Sequence, residues 1–231
     1  DRTIKYTMSD LVGSMLTALD DNNQTSRALI NHFGYSKEFT ASQILPFNSA
    51  RKLSAVTFKN GETYVMGAPE FVLKVRNKEV DNLVKQYAQK GFRVLLIAKA
   101  EGQIEKDKIS PKREPVCVIV IEDHIREDAS ETLEWFRNNG VDVKIISGDN
   151  PLTVSEVSRR VGVQGAEKYI SLEGLSEQQV IEAADKYTVF GRVSPEQKCI
   201  LVRALKAKGH KVAMTGDGVN DILALKEADC S

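Results

Sequence analysis

Three short segments of this 231-residue sequence carry the residue types that phosphoryl chemistry needs. Ser147-Gly148-Asp149-Asn150 offers a small hydroxyl and backbone N–H groups at the start of a helix, a combination that holds phosphate oxygens. Lys198 closes the run Gly191-Arg192-Val193-Ser194-Pro195-Glu196-Gln197-Lys198, and its ammonium can neutralise charge on a phosphoryl group in flight. Thr215-Gly216-Asp217-Gly218-Val219-Asn220-Asp221 sets two carboxylates among glycines, oxygen donors of the kind Mg²⁺ prefers. Taken alone, a Ser-Gly-Asp triplet is more often a turn, and a lysine on a charged helix face is usually solvated. The third segment is different, because two acids in a glycine-bounded loop after an apolar strand are a costly way to make a turn. All three in this order point to one site.

The elements that must position them alternate. Pro115–Ile121 is a nearly continuous apolar run, expected as a strand buried on both faces. Ala129, Leu133 and Phe136 follow at helical spacing, with Gly140 as the stop. Val141–Ile146 reads as a strand, and Asn150-Pro151 opens a helix striped by Val154, Val157 and Val161 and stopped by Gly162. Ser176 with Gln179, and Ser194 with Gln197, have the form of capping boxes. Between those two helices Thr188–Phe190 reads as a short strand, and Lys211–Met214 as a third buried strand. This rhythm predicts an α/β fold, a parallel sheet with helices on both faces and its ligand loops at the C-terminal ends of the strands.

The N-terminal half has another pattern. Leu11, Met15, Leu16 and Leu19 predict one helix, and Ser26–Phe33 a second. Leu53–Phe58 and Glu62–Met66 flank Asn60-Gly61, a strong hairpin signal. Val80–Lys90 reads as helix and Arg93–Ala98 as strand, so this half is expected to be α+β with an antiparallel sheet. The polar stretch Glu101–Arg113 reads as a linker or an exposed excursion, which sets the domains at 1–113 and 114–231.

Ala213–Asp229 (AMTGDGVNDILALKEAD) resembles the hinge signature of P-type cation-transporting ATPases, whose phosphorylation domain has the Rossmann-like haloacid dehalogenase fold. ISGDN resembles that family's TGDN motif, Asp123-His124-Ile125-Arg126 its D-P-x-R entry, and GRVSPEQK the segment bearing its phosphate-binding lysine. The resemblance implies that Ser147 and Lys198 contact the phosphoryl group, that Asp217 is a Mg²⁺ ligand, and that Asn220 and Asp221 complete the site. It puts Gly148 and Asp149 near the nucleotide phosphates and Asp123 near the domain junction.

Met66-Gly67-Ala68-Pro69-Glu70 resembles the KGAPE motif of the family's nucleotide-binding domain. Phe47 with Arg51-Lys52 resembles the segment whose aromatic ring stacks on adenine, and Gly91-Phe92-Arg93 the one with a phosphate-contacting arginine. An ATP site of Phe47, Lys52, Met66, Gly67, Ala68 and Arg93 is thereby implied, although Phe47 also suits a core and Lys52 and Arg93 suit a solvated surface. Two positions depart from the family: Met66 replaces the KGAPE lysine, and Ser26 stands where a glutamate is common. The DKTGT motif with the nucleophilic aspartate does not occur in these residues. In the family its strand lies between those leading to SGD and GDG, so a gap is expected there and the chain is expected to be a portion of a longer pump, inactive alone.

Composition fits this reading. Hydrophobic residues make up 42% and charged residues 28%, and 32 basic side chains balance 32 acidic ones, which gives no broad attraction to nucleic acid. The longest apolar run, Val116–Ile121, is far short of the ~20 residues a membrane helix needs. Cys117, Cys199 and Cys230 are too scattered for a CxxC site and read as reduced thiols. By resemblance the partners are ATP, Mg²⁺, a transported cation, and actuator and membrane domains that keep this portion on the cytoplasmic face. No histidine precedes a proline, unlike in heavy-metal pumps, and the short nucleotide domain leans toward bacterial calcium or general cation pumps. A soluble phosphatase of the same fold and a non-catalytic nucleotide-binding module are the alternatives.

Overall fold

The computed structural model describes residues 7–48, 51–216 and 218–231. Its contacts divide the chain into two units, Asp1–Val84 with Val94–Ile121, and Lys85–Arg93 with Glu122–Ser231. No helix among the described residues is long and apolar enough to cross a membrane.

The first unit is built on a five-stranded antiparallel sheet in the order β1-β2-β3-β4-β5. Before it come α1 (Met8–Leu19) and α2 (Gln24–Phe33). A reciprocal capping box between Thr7 and Asp10 starts α1, and the Asn23 side chain caps α2. The strands are β1 (Ala41–Asn48), β2 (Leu53–Phe58), β3 (Thr63–Gly67), β4 (Arg93–Ala100) and β5 (Arg113–Ile121), with α3 (Pro69–Val72) and α4 (Lys78–Ala88) between β3 and β4. The Asn60-Gly61 hairpin forms as expected, joining β2 to β3.

Strand alternation divides the core. Val56, Phe58, Tyr64, Met66 and Ile97 face Leu11, Met15 and Leu16 of α1 and Leu29 of α2. Leu53, Ala55, Val65, Leu96 and Ala98 point the other way, onto Val72 and Val80. Since both faces are covered, all six residues of β2 are buried. The stretch 101–112 is an excursion rather than a linker. Glu105 and Lys108 exchange backbone hydrogen bonds there, and Ile104 is buried in the second cluster.

Two expected strands come out differently. The run expected as Pro115–Ile121 is a strand, Arg113–Ile121, but it joins the antiparallel sheet of the first unit as an edge, and only Ile119 in it is buried. The turn at 101–112 folds it back beside β4, with Glu101 N–H donating to Lys112 C=O at 3.1 Å. Lys211–Met214, expected as a third buried strand, forms only an isolated bridge between Ala213 and Cys230.

The second unit carries a three-stranded parallel sheet in the order β6-β8-β7, made of β6 (Ile145–Ile146), β7 (Tyr169–Ser171) and β8 (Val189–Gly191). The expected strand at 141–146 is thus confined to its last two residues, and β7 is an addition. Its helices are α5 (Ala129–Asn138), α6 (Pro151–Arg160), α7 (Glu177–Lys186), α8 (Pro195–Ala207) and α9 (Ile222–Glu227). Both expected capping boxes are present, Ser176 with Gln179 and Ser194 with Gln197. Phe190, Leu172, Val180 and Leu201 form the core between the sheet, α7 and α8.

Candidate active site

Three loops of the second unit meet at one cleft. Ser147 and Gly148 after β6, Lys198 on the first turns of α8, and Thr215, Gly216 and Asp221 all line it. The cleft measures about 1200 Å³ and continues between β6 and Lys211–Met214 over an apolar floor that includes Ile146, Val202, Val212 and Met214. Among the described residues no strand lies between β6 and the 211–214 segment. Lys211 and Ala213 are exposed, and Val212 and Met214 are half-buried.

Lys198 points into the cleft because Ser194 caps α8, accepting from Gln197 N–H, and Pro195 fixes the first turn. Its Nζ lies 2.5 Å from Asp221 Oδ1, with only 15% and 10% of the two side chains exposed. Asp221 ends a 3-10 turn, Val219–Asp221, ahead of α9. Gly216 lets that carboxylate come close, since a Cβ on it would sit 2.7 Å from Asp221 Cβ.

Ser147 Oγ accepts from Asp149 N–H at 3.1 Å, which curls the loop, and Asn150 caps α6 by accepting from Leu152 N–H. Asp149 itself is engaged elsewhere, 3.0 Å from Arg93, which is also 3.0 Å from Asp123. Arg93 therefore belongs, with Asp123 and Asp149, to an ion-pair cluster of the second unit. Lys144 also lines the cleft, and burial pushes its ammonium below its ordinary value of 10.5, against the pull of Asp185 and Asp142. Its Nζ donates to Tyr187 C=O at 2.8 Å.

Asn220 is exposed within the 3-10 turn, and Asp217, the expected metal ligand, lies outside the described residues. Among the described residues no group of three His, Cys, Asp or Glu could hold a metal ion. Asp221, which lines the cleft as do Asp142 and Asp185, is held by Lys198.

In the first unit, Phe47, Lys52, Gly67 and Ala68 share one end of the sheet. Asn48 pairs with Leu53, and Leu53 with Gly67, so the end of β1, the start of β2 and the end of β3 lie side by side. A Cβ on Gly67 would sit 2.5 Å from Lys52 C=O, and Ala68 N–H donates to that same oxygen at 3.4 Å. Lys52 holds its ammonium 5.4 Å from the centre of the Phe71 ring. Phe47 is 50% exposed, so it is not a core residue, whereas Met66 is 8% exposed and packs in the α1 and α2 core. Arg192 was not singled out by its sequence, yet it touches the Ser147–Asp149 loop through both backbone and side chain. No local pattern marks it, because its role depends on a loop more than forty residues earlier.

The parallel sheet of the second unit brings a Ser-Gly-Asp loop and a lysine–aspartate pair to one cleft, and the chain belongs to the haloacid dehalogenase-like hydrolases, whose family model matches residues 14–229. Over 226 residues it is 36% identical to the "Probable cation-transporting ATPase exp7" of Streptococcus pneumoniae, a match covering 97% of this chain and 28% of that protein. It is also 36% identical over 222 residues to the "Calcium-transporting ATPase CtpE" of Mycobacterium tuberculosis, covering 96% of this chain and 28% of that protein. For the protein of that name in Mycolicibacterium smegmatis the identity is 36% over 209 residues, covering 90% and 26%. The chain thus spans little more than a quarter of the length of these curated relatives.

Proposed function

We propose that this chain is the ATP-binding and phosphorylation portion of a P-type ATPase that couples ATP hydrolysis, through an aspartyl phosphate, to cation transport across a membrane. The observation that carries this reading is the cleft itself. The Ser147-Gly148 loop and the Lys198–Asp221 pair line it, and its apolar floor runs between β6 and Lys211–Met214, where one further strand would complete the sheet. An aspartate at the end of that strand would face Lys198. Ser147 and Gly148 would hold the phosphoryl oxygens, Lys198 would offset their charge, and Asp221 would keep Lys198 in place. Asp217 and Asn220 sit on the same loop as Asp221, and Asp217 would hold Mg²⁺, which supplies charge neutralisation at the phosphates.

ATP would bind at the sheet end formed by Phe47, Lys52, Gly67 and Ala68, with adenine against the exposed Phe47 ring. Met66 supports that end from the core. By the family resemblance, Arg93 and Asp149 of the second unit would contact phosphate oxygens. Calcium is the favoured cargo, because two of the relatives named above are calcium-transporting. The actuator and membrane domains of the complete pump would supply transport and hold this portion at the cytoplasmic face. Without the nucleophilic strand, these residues alone would not turn over ATP.

Titration of the chain with ATP and Mg²⁺, followed by Trp135 and Tyr fluorescence and by amide shifts, tests the reading. Saturable binding that Phe47→Ala weakens is expected. Absence of binding at millimolar ATP would withdraw the nucleotide site. A gene product carrying the additional strand should form an acid-stable, hydroxylamine-labile phosphoenzyme, and failure to do so would leave the non-catalytic module as the better reading.

A further inference from the structure

Arg192 joins the β8–α8 connection to the Ser147–Asp149 loop. Its backbone N–H donates to Asp149 C=O at 2.9 Å, its Nη1 donates to Gly148 C=O at 3.0 Å, and the next residue, Val193, donates its N–H to Ser147 C=O at 3.0 Å. Three consecutive carbonyls of the loop are therefore turned toward residues 192–193. Among the described residues no peptide bond is cis, and in a trans peptide the N–H points opposite to the preceding C=O. The amides of Gly148, Asp149 and Asn150 are thus turned away from Arg192. The Asp149 amide is taken by Ser147 Oγ, and Gly148 lines the cleft together with Lys198.

Arg192 makes these contacts from a left-handed backbone, φ 53°, which favours glycine or asparagine over a long side chain. An arginine in that conformation is disfavoured by the turn alone, and its guanidinium supplies a contact that neither of those residues would. We propose that Arg192 is a positioning residue. By holding the Gly148 and Asp149 carbonyls it fixes the backbone of the Ser147–Asn150 loop, a role that rests on the reading of this loop as the phosphoryl-binding loop.

The test uses the ¹⁵N-labelled 231-residue chain and the variants Arg192→Gly, Arg192→Asn and Arg192→Lys. Glycine and asparagine both suit the left-handed backbone, so they remove the guanidinium while keeping the fold, and thermal melts confirm it. Amide order parameters are read first without ligand, then inorganic phosphate is titrated. In Arg192→Gly and Arg192→Asn, order at Gly148 and Asn150 should fall from the rigid-backbone level toward about 0.6. Phosphate affinity should fall by about tenfold, the effect of losing roughly one hydrogen bond to the loop. Arg192→Lys should restore order and affinity together, in part. Unchanged loop order in both short variants overturns the proposal, as does full recovery of affinity in Arg192→Lys without recovery of order, which would mean that the charge acts on phosphate directly. A wild-type chain that takes up no phosphate overturns the phosphoryl reading of the loop instead, and the ligand-free order parameters still decide whether Arg192 positions it.

Discussion

Lys198 Nζ and Asp221 Oδ1 meet at 2.5 Å across the wall of the cleft, from residues 23 positions apart, with 15% and 10% of their side chains exposed. A pair this covered constrains both partners. Removing one leaves the other nearly desolvated and unpaired, which costs more than the pair contributes. Lys198→Met should therefore lower stability by about 3 kcal/mol, and Lys198→Met with Asp221→Asn should recover most of that loss. Urea unfolding of the two single variants and the double variant measures it, and additive losses would mean the two side chains act independently.

Gly216 tests the same pair from the other side. A Cβ there would lie 2.7 Å from Asp221 Cβ and 2.8 Å from its carboxylate oxygen, so Gly216→Ala must displace Asp221. The expected loss is about 1–3 kcal/mol, as for other overpacked positions. The Lys198 side-chain resonances should shift with it, and a variant of wild-type stability with unmoved Lys198 signals would refute the contact.

Phe47 and Gly67 share an end of the antiparallel sheet and should behave oppositely. Phe47 is 50% exposed, so Phe47→Ala should change stability by less than about 1 kcal/mol while weakening ATP binding. A Cβ on Gly67 would meet Lys52 C=O at 2.5 Å, a backbone atom that cannot swing aside, so Gly67→Ala should cost about 2 kcal/mol or more in thermal or urea unfolding. Calorimetric titration with ATP separates the two effects.

Glu62 gives the first unit an acid-sensitive contact. Hydrogen bonding from Lys99 holds its carboxyl below the ordinary value of 4.5, with burial opposing and the Tyr64 hydroxyl, the Lys99 charge and the Asn60 amide assisting. A carboxylate whose folded pKa is depressed contributes stability above its unfolded pKa and loses it as pH falls through the folded value. Glu62→Gln should therefore cost about 1 kcal/mol near neutral pH, with the gap to wild type closing below about pH 4.5. Urea midpoints across that range measure it, and a gap that persists at low pH would exclude the linkage.

What the sequence determined by itself was local. The Ser176–Gln179 and Ser194–Gln197 capping boxes, the Asn60-Gly61 hairpin and the apolar spacing of α1 all depend on residues a few positions apart, and each is where it was expected. The three chemical loops were legible from their order and from the two acids set among glycines in the third, and the cleft brings together Ser147, Gly148, Lys198 and Asp221 from them. Only the tertiary structure decided partners. An apolar run such as Pro115–Ile121 satisfies its backbone in any sheet, and the fold-back at 101–112 brings it beside β4. Lys211–Met214 has strand composition, but a strand needs a neighbour to bond, and the cleft lies on the side that faces β6. Met66 packs in the core, Arg93 pairs with Asp123 and Asp149, and Arg192 reaches Gly148, because these choices follow from which distant segments approach in space. Spacing along the chain encodes a helix face or a turn, and it carries no record of contacts made across forty residues.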